Sequence, residues 1–142
     1  MTVEISSDAQ SGWLKLDILG NDTAAGLVGE VLNPEGVLVH IDDALLYVET
    51  ESTLASTFNF GVAASGVDND HMMSAFNMLT AGSGTVHKAI GTDLASEAAA
   101  TTPQGLLWPA DEYLTITSAA QVSTDLVAAL FVHYIRLADA SS

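Results

Sequence analysis

Alternation of apolar and polar residues recurs along most of the chain and predicts β-strands. Leu14, Leu16 and Ile18, for example, alternate with Lys15 and Asp17, which is the pattern of a strand with one buried face. Similar short segments lie between turn-forming Gly, Asn, Pro and Ser residues. They predict about eight strands, at residues 13–18, 26–32, 37–49, 57–63, 85–90, 106–108, 113–117 and 124–137. The predicted fold class is all-β, an antiparallel β-sandwich or jelly roll.

The segment 37–49 contains a change of register. Its apolar residues occupy odd positions as far as Ile41 and even positions from Ala44 onward, so the slip falls at Asp42-Asp43. Because a one-residue slip exchanges the two faces of a strand, we expect a β-bulge here, or a bend from one sheet to the other. The segment 57–63 is predicted to return as the hairpin partner of this strand.

Two segments are not explained by simple alternation. Met72, Phe76 and Leu79 have helical spacing after Asp70, a residue suited to an N-cap, so one short helix or an ordered loop is predicted near residues 70–80. The closing segment 124–137 is apolar at both parities and also fits a helix. A central strand buried on both faces is favoured there, because β-forming residue types are frequent in it.

Length and composition indicate a single domain. The chain has 142 residues, of which 49% are hydrophobic and 15% charged, enough to bury a core without a disulfide or a metal. Residues 1–12 are polar and patternless and are predicted to form a flexible N-terminal arm, followed by one β-sandwich domain at 13–142. Residues 91–104 are predicted to be a long surface loop. With no signal-peptide pattern at its start, the chain is expected to be made in a host cytoplasm.

The charge is strongly negative and excludes several classes of partner. Eighteen acidic residues face three basic ones, which gives a formal net charge of −15. Direct binding of nucleic acid needs several cations on one face, and anionic membranes are disfavoured for the same reason. The sequence has no cysteine, so disulfides, thiolate metal sites and cysteine nucleophiles are excluded.

The residues best suited to metal binding do not form a recognised motif. His40, His71, His87 and His133 are dispersed, without a spacing such as His-x-x-x-His. The segment 68–71 (Asp-Asn-Asp-His) has the spacing that opens calcium loops, but the glycine and glutamate expected at later positions are absent. A polar turn that caps a helix is the favoured interpretation, and we expect no metal site and no cofactor.

Paired carboxylates are the remaining candidates for catalysis. They occur at Asp42-Asp43, at Asp111-Glu112 and at Glu49 with Glu51, and a hydrolase acid and base is conceivable from such pairs. Eighteen carboxylates produce close pairs by chance, and the sequence contains no nucleophile elbow, phosphate loop or dinucleotide fingerprint. We therefore expect no catalytic residues and no enzymatic activity.

Five segments resemble small head proteins of tailed bacteriophages. They are LNPEGV at 32–37, ALLYVET at 44–50, FNFGVA at 58–63, LWPADEYLT at 107–115 and VHYIR at 132–136. Together they place the resemblance in residues 26–64 and 105–137, and the family they resemble is that of head decoration (cement) proteins.

This resemblance implies a structural protein of the virion. It implies a β-sandwich or jelly roll that forms a homotrimer, binds the major capsid protein lattice on the outer capsid surface, stabilises the capsid and has no catalytic residues. If so, three chains of charge −15 would meet, and we expect an apolar interface with the carboxylates facing outward. Residues 2–11 would then be free to order on binding and extend the contact.

The alternative is a carbohydrate-binding or adhesin-type β-sandwich displayed on a particle or cell. Such a protein needs exposed aromatic residues, and Trp13, Trp108 and the three tyrosines are the suitable ones. For Trp108, which lies at a turn, a role as an anchor in the core is favoured.

Overall fold

The computed structural model describes residues 3–5, 11–20, 25–90, 106–120 and 125–137. This part of the chain contains ten β-strands and no helix. The strands are β1 (Val3–Ile5), β2 (Ser11–Leu19), β3 (Gly26–Leu32), β4 (Val39–Thr50), β5 (Thr57–Ala63), β6 (Met73–Asn77), β7 (Thr85–Lys88), β8 (Leu106–Trp108), β9 (Tyr113–Ser118) and β10 (Val127–Arg136). The described residues therefore include no helix that could span a membrane.

The strands form two antiparallel sheets. The six-stranded sheet has the order β1-β2-β10-β4-β7, with β8 also paired to β4, and the four-stranded sheet has the order β3-β9-β5-β6. One cluster of buried side chains joins the two sheets. It includes Leu14, Leu16, Ile18, Ile41, Leu46, Leu130, Val132 and Tyr134 from the first sheet, and Phe58, Phe60, Leu114 and Ile116 from the second. The predicted all-β sandwich is confirmed.

The closing segment is the central strand of the six-stranded sheet. β10 pairs with β2 on one side and with β4 on the other. Its even-numbered residues from Ala128 to Tyr134 are buried in the core, whereas Phe131 and His133 on the opposite side are half-buried. The choice of strand over helix is confirmed, with one face fully buried and the other only partly covered.

The register slip in β4 is a β-bulge. Asp43 pairs with His133 and Ile41 pairs with Tyr134, so Asp42 is the additional residue. Because β4 pairs with β10 on both sides of the bulge, the strand stays in one sheet and does not bend into the other.

The prediction that residues 57–63 pair with β4 is wrong. The strand β5 is there, but it lies in the other sheet, between β9 and β6. The chain crosses between the sheets at 51–56, where Ser52 N donates to Met78 O (3.0 Å) and Ser56 O accepts from Met78 N (2.9 Å). Alternation specifies that a segment is a strand, whereas its partner depends on where the connection leads.

The helix predicted near 70–80 is also wrong, and the alternative, an ordered loop, describes only the residues on either side of a short strand. Residues 73–77 form the edge strand β6, which pairs with β5. Its alternation is interrupted by Ala75, whose backbone is in the left-handed region (φ 51°), and by a register shift against β5. This irregularity gives the apolar residues three- and four-residue spacings that resemble those of a helix.

The division into an arm and a domain stays a prediction. Within the predicted arm, Val3–Ile5 form β1 and pair with Leu14–Leu16 of β2, while β2 itself begins at Ser11. The rest of the arm, residues 1–2 and 6–10, lies outside the described residues, as does the predicted surface loop at 91–104.

Candidate functional site

The six-stranded sheet buries one side in the core and presents the other to solvent. We call this second side the outer face and define it by the outward residues of β2, β4, β7 and β10 together with the bulged Asp42. It consists of Trp13, Lys15, Asp17, Leu19, His40, Asp42, Asp43, Leu45, Tyr47, Glu49, Val86, Lys88, Val127, Ala129, Phe131, His133 and Ile135. The outward positions follow directly from strand alternation, since the residues between them are the core residues.

Strand pairing arranges these residues in rows across the sheet. One row contains Lys15, Phe131, Leu45 and Lys88, and the next contains Asp17, Ala129, Tyr47 and Val86. Because Ala129 is small, a groove forms over it between the rings of Tyr47 and Phe131. The centre of the outer face is therefore apolar, and charged residues flank it.

Both lysines of the chain lie on this face, each beside a carboxylate. Lys15 Nζ is 3.4 Å from Asp17 Oδ1, and Lys88 Nζ is 2.8 Å from Asp43 Oδ1. The hydrogen bond from Lys88 holds the pKa of Asp43 below its ordinary value of 3.8. Partly exposed pairs such as these add little stability, but they neutralise charge locally in an acidic chain.

The bulge in β4 directs two carboxylates to the outer face. Asp43 contacts Lys88, while the bulged Asp42 lies 2.5 Å from His133 Nδ1 through its Oδ1 atom. The ring of His133 also packs against Trp13, with ring centroids 4.9 Å apart. The predicted Asp42-Asp43 pair is thus divided between two different partners.

Of the other histidines, His40 lies at the margin of the outer face, and His71 and His87 lie away from it. His40 faces outward near Leu107 at the edge of the sheet, and His71 is exposed in a loop. His87 Nε2 lies 2.9 Å from Ala81 O and 2.8 Å from Thr85 Oγ1. Among the described residues, no group of three or more His, Asp or Glu side chains is arranged to hold a metal ion.

The polar segment 68–71 covers the solvent side of the four-stranded sheet. Asp68 Oδ1 accepts hydrogen bonds from Thr117 Oγ1 (2.6 Å) and Asn59 Nδ2 (2.9 Å). A Cβ atom on Gly61 would lie 2.8 Å from Asn69 O, so this position must lack a side chain. The polar turn expected at 68–71 is present, without the helix that it was expected to cap, and it serves as a cover for the sheet.

Replacing Asp68 by asparagine should weaken the pH dependence of stability. The hydrogen bonds from Thr117 and Asn59 hold the pKa of Asp68 below 3.8, so its contribution is present above that value and is lost as pH falls through the lower folded pKa. Urea unfolding at about pH 7 and about pH 3 should show a larger deficit for Asp68→Asn at the higher pH. Asp111→Asn, in the exposed turn before β9, is the control, and an equal deficit at both pH values contradicts the assignment.

The remaining carboxylate candidates are separated in the fold. Glu51 Oε2 accepts a hydrogen bond from Gly82 N (2.8 Å), whereas Glu49 is exposed on the outer face. Asp111 is exposed in the turn that precedes β9, and the backbone O of Glu112 accepts from Trp108 Nε1 (2.8 Å). Glu51 and the Glu112 backbone thus have roles in holding turns.

The fold is similar to that of a bacteriophage capsid chain. The solved structure is the acidic stable capsid structure of Helicobacter pylori bacteriophage KHP30, with a TM-score of 0.58 and 9% sequence identity. The likeness covers 96% of this chain and 95% of that chain. At this identity it shows a shared fold. No protein-family model and no curated protein matches the sequence.

The aromatic residues bear on the carbohydrate-binding alternative to a phage head protein. Trp108 is fully buried, which confirms its role as a core anchor and removes it as a platform for a sugar. Tyr134 is buried as well, and burial together with the hydrogen bond from its OH to Glu35 Oε2 (2.6 Å) raises its pKa. Of that set, Tyr47 lines the groove on the outer face, and Trp13 is accessible on the same face without lining the groove.

Proposed function

We propose that this chain is a structural protein of a phage head that binds the major capsid protein lattice from outside, as a homotrimer, and stabilises the capsid. The observation that carries the proposal is the fold likeness to the KHP30 capsid chain over nearly the whole length of both chains. The five segments that resemble head decoration proteins support it from the sequence. A head-binding assay tests decoration and lattice binding, and light scattering tests the trimer.

The charge of the chain favours the outer surface of the head over the inner one. A chain of net charge −15 is repelled by packaged DNA, which carries one negative charge per about 1.7 Å of helix axis. On the outside, the same charge supports solubility and opposes unwanted association between particles.

We also propose that the protein has no catalytic activity. The carboxylates with hydrogen-bond or ion-pair partners among the described residues hold the fold together. Asp68 accepts a hydrogen bond that holds the segment 68–71 on the four-stranded sheet. Glu51 accepts one from the turn at Gly82, and Asp43 pairs with Lys88. A panel of glycoside, ester and peptide substrates should show no turnover above the uncatalysed rate.

A head-binding assay tests the structural role. The purified chain is mixed with heads that lack it, prepared from the phage that encodes it, and the mixture is sedimented. We expect saturable binding, additional density outside the capsid shell in electron cryomicroscopy, and heads that release DNA at a higher temperature. Absence of co-sedimentation, or density inside the shell, would falsify the proposal.

A carbohydrate-binding role is the second candidate, and one observation favours it. The groove over Ala129 is flanked by Tyr47 and Phe131, and Asp17 and Glu49 lie at its rim, which combines the ring and carboxylate groups that bind sugars. Specific binding on a glycan array, lost in Tyr47→Ala and accompanied by no affinity for heads, would favour this candidate over the first.

A further inference from the structure

We propose that the outer face of the six-stranded sheet is the surface through which copies of this chain contact one another. The inference rests on the homotrimer of the proposed function and assigns its interface. The occupant of the face is a second copy of this chain, and three features of the face support that choice: its apolar centre, its size and its charge.

The outer face is more apolar than a solvated sheet face needs to be. Antiparallel sheets that face water on one side ordinarily alternate apolar and polar residues, with the polar ones outward. Here Trp13, Leu19 and Val86 are outward and 43%, 58% and 60% exposed, and the half-buried Tyr47 and Phe131 lie between them. Exposed apolar residues grouped on one surface are typical of a protein contact.

The opposite side of the sandwich differs. The outward residues of the four-stranded sheet are largely polar, and the segment 68–71 is hydrogen-bonded across them through Asp68. Thr115 and Thr117 are buried even though they alternate with the core residues Leu114 and Ile116. One sheet therefore has its own cover, and the other sheet leaves an apolar face open among the described residues.

The size of the face suits an interface between subunits. Ten residues of β10 span about 34 Å, and four strands at about 4.8 Å spacing span about 19 Å, so the face measures on the order of 650 Å². A standard stable interface takes about 800 Å² from each partner. The face thus supplies most of one standard contact, and its margins must supply the rest of the two contacts that each subunit makes in a closed trimer.

Charge favours the outer face over the rest of the described surface for contact with a second copy. Lys15 and Lys88 are two of the three basic residues of the chain, and four of the eighteen carboxylates lie on the face with them. Among the described side chains, the outer face carries a formal charge of −2, and the eight carboxylates elsewhere share one basic residue, Arg136, which gives −7. Two copies that meet through the outer face therefore bring less like charge together than copies that meet through the rest of the described surface, and each lysine can pair with a carboxylate of either copy.

A pair of matched double variants tests the interface. Leu19→Glu with Val86→Glu places two carboxylates on the outer face. Leu54→Glu with Val67→Glu makes the same two changes at exposed positions in the loops at 51–56 and 64–72, where the side chains are 41% and 46% exposed. All four side chains are solvent-accessible in the single chain, so both variants should fold, which far-ultraviolet circular dichroism checks.

Light scattering over a range of chain concentrations then measures assembly. We expect the wild type and the loop variant to form trimers, and the concentration for half-assembly of the outer-face variant to rise at least about 100-fold, because each buried carboxylate costs tenfold or more in affinity. Trimers of the outer-face variant at the wild-type midpoint overturn the assignment. So does an outer-face variant that still forms trimers but no longer binds phage heads or glycans.

Quenching of tryptophan fluorescence by acrylamide gives a second measurement, independent of any variant. Trp13 lies on the outer face and Trp108 is fully buried, so the accessible emission comes from Trp13. Quenching should fall as the wild-type chain assembles, and equal quenching in monomer and trimer contradicts the proposed contact.

The two proposals can fail separately. A wild-type chain that stays monomeric and still binds heads overturns the interface and leaves the head-binding role standing. If the chain forms trimers through the outer face but does not bind heads, the interface is supported and the proposed function fails.

Discussion

Replacing Trp108 by alanine should lower the free energy of unfolding by about 3–5 kcal/mol, the usual cost of truncating a fully buried tryptophan. Trp108 ends β8, and its side chain is completely inaccessible to solvent. The substitution also removes the hydrogen bond from Nε1 to Glu112 O (2.8 Å). Because the total stability of a domain of this size is about 5–15 kcal/mol, the loss should be plain in urea unfolding followed by circular dichroism.

Two further variants make the result interpretable. Trp108→Phe retains most of the buried volume but not the hydrogen bond, and should cost about 1–2 kcal/mol. Leu54→Ala truncates a side chain that is exposed in the loop at 51–56 and should change stability by less than about 0.5 kcal/mol. A Trp108→Ala cost as small as that of Leu54→Ala would mean that Trp108 does not anchor the core.

Replacing Asn33 by aspartate should cost about 2–3 kcal/mol near neutral pH, although the two side chains have the same shape. Asn33 is buried, and its Nδ2 atom donates to Val37 O (2.8 Å), Trp108 O (2.9 Å) and Pro109 O (3.1 Å). A carboxylate oxygen in that position would face three carbonyl oxygens and donate to none, so it would be buried without a partner.

The pH dependence of the Asn33→Asp variant provides its distinctive signature. Carbonyl oxygens favour the protonated acid, so the folded pKa of the new carboxyl should lie above the unfolded value of about 3.9. The deficit should therefore be smallest below about pH 4 and reach its full size as pH rises through the raised folded pKa. Urea unfolding at several pH values measures this trend.

Asn77→Asp is the matched control for that variant. Asn77 uses its Oδ1 atom to accept a hydrogen bond from Leu79 N (3.0 Å), a role that a carboxylate oxygen fills equally well. We expect its stability to stay within about 0.5 kcal/mol of the wild type at every pH. A pH-independent deficit in Asn33→Asp would show that the lost hydrogen bonds from Nδ2, and not the charge, explain its cost.

Asn33 and Trp108 belong to two of the segments that resemble phage head proteins, and the fold brings these segments together. The side chain of Asn33 bonds to Trp108 O, and its backbone N donates to Glu112 O (3.0 Å). These hydrogen bonds therefore connect the segments at 32–37 and 107–115 and hold the end of β3 against the turn before β9. Sequence analysis identified the two segments, but not the contact between them.

Local patterns predicted much of the strand structure. The short apolar segment at 26–32 corresponds to β3 with the same bounds, and the alternation at 57–63 corresponds to β5. The parity change at Asp42-Asp43 correctly located the bulge. These features follow from which side of a strand is buried, and the order of apolar and polar residues records that directly.

Pairing and irregular backbone were not predictable in the same way. β5 joins the sheet opposite β4 because the crossing at 51–56 is held by backbone hydrogen bonds to Met78. Ala75 adopts a left-handed backbone. Because it is not a glycine, its residue type gave no signal in the sequence for the irregular edge strand at 73–77. The contacts of Asp68 and Asn69 could not be predicted from the sequence either, because their partners are up to 49 residues away along the chain.

The sequence by itself determined the all-β class, the strong negative charge and the apolar character of both sides of the segment 124–137. Only the tertiary structure decided which of those two sides enters the core. Even-numbered residues such as Leu130 pack inside, and Phe131 lies on the outer face between Lys15 and Leu45. The reason is physical: when both parities are apolar, burial depends on the strands that pair on either side and on what covers the sheet.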